Sequence, residues 1–138
     1  MDALNNLVKT KQLKTEKANA DEFAGMLRAA ERKLDDVQIS GLSEDSQFSL
    51  AYSAAHALSL AALRWHGYRS ENRYIVFQCL QHTLGLDKYK WRVLDECHKA
   101  RNLAEYEGHL DVPQQLLKEL ISISKEIQVL VKTLPPIE

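Results

Sequence analysis

Three observations predict that the chain folds as an all-α protein. Apolar residues recur at steps of three and four in several stretches, which is the spacing that places side chains on one face of a helix. Glycine, proline and helix-capping residues separate these stretches, and no stretch alternates apolar and polar residues over the length of a strand. We therefore expect a five-helix, mainly antiparallel up-and-down bundle with short connections, formed as a single domain by residues 1–138.

The composition is that of an ordinary globular protein. The chain has 138 residues, of which 45% are hydrophobic and 27% charged, and its formal net charge is −1. This balance excludes a disordered chain and a polycation that coats nucleic acid. Cys79 and Cys97 are too few for a disulfide-stapled secreted domain, and the first residues do not resemble a signal peptide, so we expect a cytoplasmic protein. No phosphate-binding glycine loop and no metal-ligand spacing occurs, and we expect no cofactor and no metal.

The first part of the chain predicts an N-terminal arm and two helices. Residues 1–18 contain a short apolar pattern that indicates a helix or an arm. A helix with regularly spaced apolar residues follows, from Asp21 to about Gly41. Ser43 can cap the next helix, because its hydroxyl accepts a hydrogen bond from an unpaired backbone N–H. This central helix is predicted over residues 44–66.

The central helix is apolar on all sides, which fits either a membrane span or the buried centre of a bundle. Residues 46–63 carry no formal charge, and a span needs about 17–25 residues. The stretch contains several serines and lacks isoleucine and valine, so we expect a core helix and no membrane contact. His56 in this helix favours a hydrogen-bonded core histidine over a catalyst.

The second part of the chain predicts three more helices. The third covers residues 72–84 and ends at Gly85, which suits a left-handed cap. Asp87 caps the fourth, which continues to about Glu107. Pro113 opens the fifth, because proline is tolerated in the first turn of a helix, where its missing N–H has no partner to lose.

Charge is unevenly distributed along the chain. Residues 64–101 hold eight basic residues against four acidic ones, so the near-neutral total hides a basic middle segment. Aromatic residues are interleaved with these bases, and cations beside aromatic rings favour binding to nucleic acid. The eight bases are Arg64, Arg69, Arg73, Lys88, Lys90, Arg92, Lys99 and Arg101.

The fourth helix carries the most informative pattern. At about 100° per residue, one narrow arc of this helix is apolar and is predicted to be its buried face. A second arc collects an imidazole, a guanidinium, an amide and a carboxylate, which are groups that bind phosphate and transfer protons. These residues are Trp91, His98, Arg101, Asn102 and Glu105, flanked by Tyr106, with His109 after the helix end. The alternative interpretation is structural, with an Arg101–Glu105 salt bridge along the helix.

Two segments carry a resemblance to a known family. One is SEDSQFSLAYSAAHALSLAALRWHGYR, which contains the central helix. The other is HKARNLAEYEG, in the penultimate helix. With the helix order, they resemble HEPN-type domains over nearly the whole chain. HEPN-type domains are small helical bundles common in prokaryotic toxin–antitoxin and antiviral defence loci. Active members carry Arg-Asn-x-x-x-His, which forms a metal-independent ribonuclease site that is usually shared across a homodimer. Arg101 and Asn102 match this motif, and Tyr106 stands at the histidine position.

The resemblance implies an RNA-binding protein with its site at a dimer groove. Arg101 is expected to neutralise a phosphate and Asn102 to position it, while His98 or Tyr106 handles protons. A phenol keeps its proton near neutral pH, so Tyr106 is a better hydrogen-bond donor than base. Further binding candidates on the same helix are Glu105, Trp91, Lys99 and Arg92. The resemblance also implies a homodimer and a possible antitoxin or nucleotidyltransferase-type partner.

Two other functions remain open from the sequence. The first is a non-enzymatic HEPN-like regulator or antitoxin-like partner, which the missing motif histidine favours. The second is a helical adaptor with no nucleic-acid role. The retained Arg101–Asn102 pair and the basic middle segment favour RNA binding.

Overall fold

The chain is a mostly helical bundle. The computed structural model describes residues 2–108 and 111–137. Over these residues the helices are α1 (Asp2–Lys9), α2 (Ala20–Val37), α3 (Glu44–Trp65), α4 (Arg73–Gln78), α5 (Leu80–Thr83), α6 (Lys88–Glu107) and α7 (Gln114–Lys132). Two short strands, β1 (Lys14–Thr15) and β2 (Tyr68–Arg69), pair antiparallel.

The central helix α3 organises the core. It packs most extensively against α2 and α7, and it also contacts α4, α5 and α6. Five alanines of α3 are buried, and such small side chains let neighbouring helices approach closely. Larger buried side chains such as Phe48, Tyr52 and Leu58 fill the space between the helices. Over the described ranges, no helix is both long enough and apolar enough to cross a bilayer.

Several predicted helix ends are confirmed. Ser43 caps α3, and its hydroxyl oxygen accepts a hydrogen bond from the backbone N–H of Ser46 at 3.1 Å. Gly108 ends α6 with a φ of 77°, the left-handed conformation that favours glycine. Asp87 stands at the cap position of α6, but its side chain makes no capping hydrogen bond.

The structure differs from the predicted elements in three places. The predicted single helix over residues 72–84 is two short helices. Helix α4 ends in a tightened turn at Cys79, because the backbone N–H of Cys79 donates to the carbonyls of both Ile75 and Phe77. Helix α2 ends at Val37 rather than near Gly41. The strand pair was not predicted, since two residues are too few to show a period of two.

Arg64 anchors the N-terminal region to the end of α3. Its side chain is only 2% exposed. The guanidinium donates to Glu22 Oε1 at 2.6 Å and to the backbone carbonyls of Glu16 and Lys17, each at 2.7 Å. Arg64 Nη2 also lies 3.3 Å from Oε2 of the Glu16 carboxylate. Arg69 donates to the same two carboxylates, at 2.9 Å to Glu16 and 2.5 Å to Glu22. The hydrogen bond from Arg64 is the main reason that the pKa of Glu22 is lowered.

Candidate anion-binding site

The site lies where α6 meets the buried Tyr52 of α3. Tyr52 Oη and His98 Nδ1 are 2.9 Å apart, and Asn102 Nδ2 is 3.3 Å from His98 Nε2. The Asn102 amide donates to Nε2, so the neutral ring carries its hydrogen on Nδ1 and donates it to Tyr52 Oη. Both ring nitrogens of His98 are therefore engaged, and the plane of its ring is nearly parallel to that of Tyr52, with an angle of 8° between them.

Two arginines from different helices lie against the ring of Tyr52. The guanidinium carbon of Arg101 in α6 is 5.1 Å from the ring centroid, and that of Arg73 in α4 is 5.5 Å from it. Both distances are within the range of cation–π attraction. Tyr52 itself is 0% exposed, so the core of the bundle holds the platform on which both cations lie. The fold thus brings together residues that are 28 positions apart in the sequence.

These two guanidinium groups have no carboxylate partner within the part of the chain that the structure describes. Four other members of the basic middle segment are paired: Arg64 and Arg69 with Glu16 and Glu22, Lys90 with Glu126, and Lys99 with Asp95. The Arg101–Glu105 salt bridge that the structural alternative predicted does not form. The site therefore keeps its positive charge, whereas half of the basic segment serves the fold.

The pKa of His56 is affected by this positive charge. His56 lies one helical turn after Tyr52, and its ring packs edge-on against Phe77 with 6.0 Å between centroids. The pKa of His56 is lowered to about 4, mainly by burial, and the charges of Arg73, His98, Arg101 and Lys33 contribute in the same direction. The hydrogen bond predicted for His56 is not formed with any described residue, and the positive charges of Arg73, Arg101 and Lys33 act on its ring instead.

Burial also lowers the pKa of His98. The positive charges of Arg73, Arg101 and Lys99 act in the same direction, while the nearby Asp95 opposes them. Asp95 is itself engaged by Lys99, with 3.2 Å between Oδ2 and Nζ. His98 is consequently neutral near pH 7, as its hydrogen bond from Asn102 requires.

Arg101 also lines an open pocket between the start of α3 and the end of α6. The pocket has a volume of about 480 Å³, and its wall includes Asp45, Phe48, Ser49 and Glu105. Asp45 and Glu105 lie on the wall without pairing with Arg101. A ligand group of a few atoms can therefore reach the guanidinium from solvent.

The other predicted site residues lie outside this cluster. Tyr106 is 91% exposed, and Lys99 extends into solvent from its pair with Asp95. Arg92 is exposed and lies over the ring of Trp91, with 5.9 Å from its guanidinium carbon to the centroid. His109 falls outside the described residues.

Trp91, which was predicted as a binding residue, is buried. Its side chain is 4% exposed and belongs to the core. The ring makes an edge-to-face contact with Tyr74, at 6.0 Å between centroids. Helix α4 packs on this side of α6, and no pattern within α6 alone could show which of its sides α4 would cover.

Tyr52 and Arg73 were not predicted as members of the site, and His56 was predicted to lie in the core. Tyr52 and His56 are the residues with large polar side chains in an otherwise alanine-rich part of α3, and they lie one turn apart. That spacing is the feature of the sequence from which a polar site on α3 could have been predicted. Arg73 appeared only as one of eight bases, because nothing in the sequence indicates that α4 directs it to Tyr52.

Neither a metal-binding group nor a known relative indicates which ligand binds at this site. In residues 2–108 and 111–137, no group of three or more His, Cys, Asp and Glu side chains is placed to hold a metal ion. Comparison of the chain with protein-family models, curated proteins and solved structures finds no match.

Proposed function

We propose that the chain is a HEPN-like RNA-binding protein of a prokaryotic toxin–antitoxin or antiviral defence system, acting in the cytoplasm. One observation carries the proposal: Arg73 and Arg101 converge on the buried ring of Tyr52 without a carboxylate partner among the described residues. Unpaired guanidinium groups held in a fixed position are suited to phosphate oxygens. The sequence motif Arg101–Asn102, which resembles the family hallmark, supports RNA as the source of that phosphate.

Each group at the site has a distinct role in this proposal. Arg101 borders the open pocket and binds the phosphate through its two parallel N–H donors. Arg73 adds a second positive charge from the side of α4. His98, held between Tyr52 and Asn102, fixes the position of the Asn102 amide. Tyr52 is the platform that both cations share.

Binding is better supported than cleavage. A ribonuclease of this kind needs a group that moves a proton at the ribose hydroxyl or at the leaving oxygen. His98 has both ring nitrogens in hydrogen bonds, so it must release Asn102 before it can act as a base. Tyr106, at the motif histidine position, points into solvent. We therefore propose an altered ribonuclease site whose main activity is to hold RNA.

The outer face of α6 supports a homodimer. Six exposed residues recur along it at steps of three and four and occupy an arc of about 100°. Such spacing is that of the a and d positions of a coiled coil. We call this surface the α6 stripe; its residues are Tyr89, Arg92, Glu96, Lys99, Leu103 and Tyr106.

The α6 stripe is complementary to itself. If two copies pair antiparallel about a two-fold axis between residues 97 and 98, Glu96 meets Lys99 of the partner subunit, and Tyr89 meets Tyr106 of the partner subunit. Arg92 then lies beside Leu103 of the partner subunit, where its aliphatic stem can pack. A two-fold axis requires such matching of a surface with its own copy. The two sites, at Arg101, would lie on either side of this axis.

A second candidate function is supported by the same surface. Leu103 and Tyr106 are large apolar or aromatic side chains on an exposed helix face, and such groups are common in protein interfaces. If they bind another protein instead of a second copy, the chain is a non-enzymatic regulator, an adaptor, or a partner of an antitoxin or nucleotidyltransferase-type protein.

RNA binding to the arginine variants tests the main proposal. We expect Arg101→Lys to weaken binding of a single-stranded RNA oligonucleotide nearly as much as Arg101→Ala, because lysine keeps the charge but loses the two-pronged geometry. Arg32→Lys, on an exposed position of α2, is the matched control. If Arg101→Lys binds like the parent and binding depends only on salt concentration, the site is a diffuse patch and the proposal fails.

Restoring the motif histidine tests the altered ribonuclease site. We expect Tyr106→His to cleave total RNA faster than the parent, and Arg101→Ala in the same chain to abolish that gain. If Tyr106→His folds, binds RNA and gives no cleavage, the site does not derive from a ribonuclease. If neither protein binds RNA, the adaptor function is favoured.

A further inference from the structure

We propose that the cluster around Tyr52 recognises a phosphomonoester dianion, such as the terminal phosphate of an RNA, in preference to the phosphodiester inside a strand. The inference deepens the proposed function and rests on it for the identity of the polymer. Three features of the site favour this ligand: the number of its positive charges, the number of N–H donors that they offer, and its closed inner side.

The two arginines of the site carry more positive charge than one phosphodiester can balance. Arg73 and Arg101 always carry a proton, and no described carboxylate is within ion-pair distance of either. The charge of Lys33 acts on the same cluster. A phosphodiester has a single negative charge, whereas a phosphomonoester has about −1.5 to −2 near pH 7. Two fixed cations therefore match the terminal group.

The donors point to the same ligand. Each guanidinium can use two parallel N–H groups on one anion. A phosphodiester has two oxygens that are free of ester bonds, which one such fork occupies, whereas a phosphomonoester has three strong acceptors. The guanidinium carbons of Arg73 and Arg101 both lie within 5.5 Å of the Tyr52 centroid. We place one fork of each arginine on a single phosphate group, which then needs the third oxygen.

The inner side of the site is closed by the core. Tyr52 and Phe77 are fully buried, and the Phe77 ring lies edge-on to Tyr52 at 6.0 Å between centroids. A strand cannot continue through these rings, so its chain can leave the site only toward solvent. Charges beside such an apolar wall also interact more strongly than charges in water, which enlarges the difference between one and two negative charges on the ligand.

Titration with four probes tests the inference. The probes are a ten-nucleotide RNA with a 5′-hydroxyl, the same RNA with a 5′-phosphate, the same RNA with a 3′-phosphate, and a nucleoside monophosphate. We expect at least one phosphorylated end to bind about tenfold more tightly than the hydroxyl form, a difference that Arg73→Lys and Arg101→Lys each remove. Arg32→Lys is expected to keep it. Circular dichroism of each variant verifies that it is folded.

Each outcome separates the inference from the proposed function. Equal binding of the three RNAs, lost in Arg101→Lys, overturns the inference and leaves RNA binding in place. A preference that survives both lysine variants also overturns it, because the preference then comes from another surface. A nucleoside monophosphate that binds as tightly as the phosphorylated RNA supports the phosphomonoester but contradicts RNA as its source. Binding of none of the four probes overturns both proposals.

Discussion

At the scale of single residues, His56 links the charge of the site to the stability of the fold. Its pKa is about 4 in the folded chain and 6.5 in an unfolded one. Above pH 6.5 the ring is neutral in both states, so it does not make the free energy of unfolding depend on pH. Between pH 6.5 and about 4 the unfolded chain takes up a proton that the folded chain does not, so stability falls as pH falls.

We therefore expect the free energy of unfolding to drop by up to about 3 kcal/mol between pH 7 and pH 4 because of His56. His56→Gln removes this contribution, and urea unfolding of the parent and the variant at each pH measures the difference. The pKa of His98 is also lowered, so the free energy of unfolding of both the parent and the variant keeps a pH dependence that comes from His98. Parallel curves for the two proteins over this range would show that His56 is not shielded from protonation.

The same residue shows where sequence reasoning about the site succeeds and where it stops. His98, Arg101 and Asn102 could be grouped from the sequence because they lie on one helix, where spacing determines neighbours. His56 and Arg73 lie on α3 and α4, and their approach to Arg101 depends on how the helices pack. Trp91 was misplaced for the same reason, since α4 covers a side of α6 that its own periodicity left open.

At the scale of elements, Arg64 fastens the N-terminal region to α3 through groups that lie 42 to 48 positions away in the sequence. Removing the guanidinium leaves the carbonyls of Glu16 and Lys17 and the carboxylate of Glu22 without their donor. We expect Arg64→Met to lower the free energy of unfolding by about 3 kcal/mol, the lower end of the cost of breaking a buried pair.

Arg69→Met is the matched control for that prediction. Arg69 binds the same two carboxylates from a more exposed position, so its loss is expected to cost less than about 1 kcal/mol. Urea unfolding followed by far-ultraviolet circular dichroism measures both. Equal losses for the two variants would mean that the backbone hydrogen bonds of Arg64 contribute nothing beyond its charge.

The ends of a helix could be predicted where residues within one turn determine them. The start of α3 at Ser43 and the end of α6 at Gly108 depend on residues within one turn, and both agree with the sequence. The pairing of Lys14 with Arg69 joins segments 55 positions apart, and the break at Cys79 has no proline or glycine to announce it. Such features follow from packing of the whole chain.

At the scale of the whole molecule, the α6 stripe predicts a homodimer that charge exchange can break and restore. We expect light scattering at tens of micromolar to give twice the 15.8 kDa of one chain. Glu96→Lys places lysine opposite Lys99 of the partner subunit at two symmetric positions, and it should yield monomers. The double variant Glu96→Lys with Lys99→Glu reverses both charges and should dimerise again.

Two outcomes would contradict this arrangement. A parent that remains at 15.8 kDa has no such dimer. A dimer that Glu96→Lys leaves intact uses another surface, in which case Leu103 and Tyr106 are free for a different protein. Tyr89, whose hydroxyl donates to Glu119 at 2.6 Å, is not replaced in this test, because its loss would also disturb the contact between α6 and α7.

Tyr52 has a consequence for how a ligand can be found. Its ring belongs to the hydrophobic core and is also the platform for Arg73 and Arg101. A compound that occupies the site only when the bundle is assembled must raise the melting temperature, by linkage, and a concentration of 100 times its Kd adds about 2.7 kcal/mol. A thermal-shift screen of nucleotides and short oligonucleotides, with Arg101→Ala screened in parallel, would therefore rank ligands without any assay of activity.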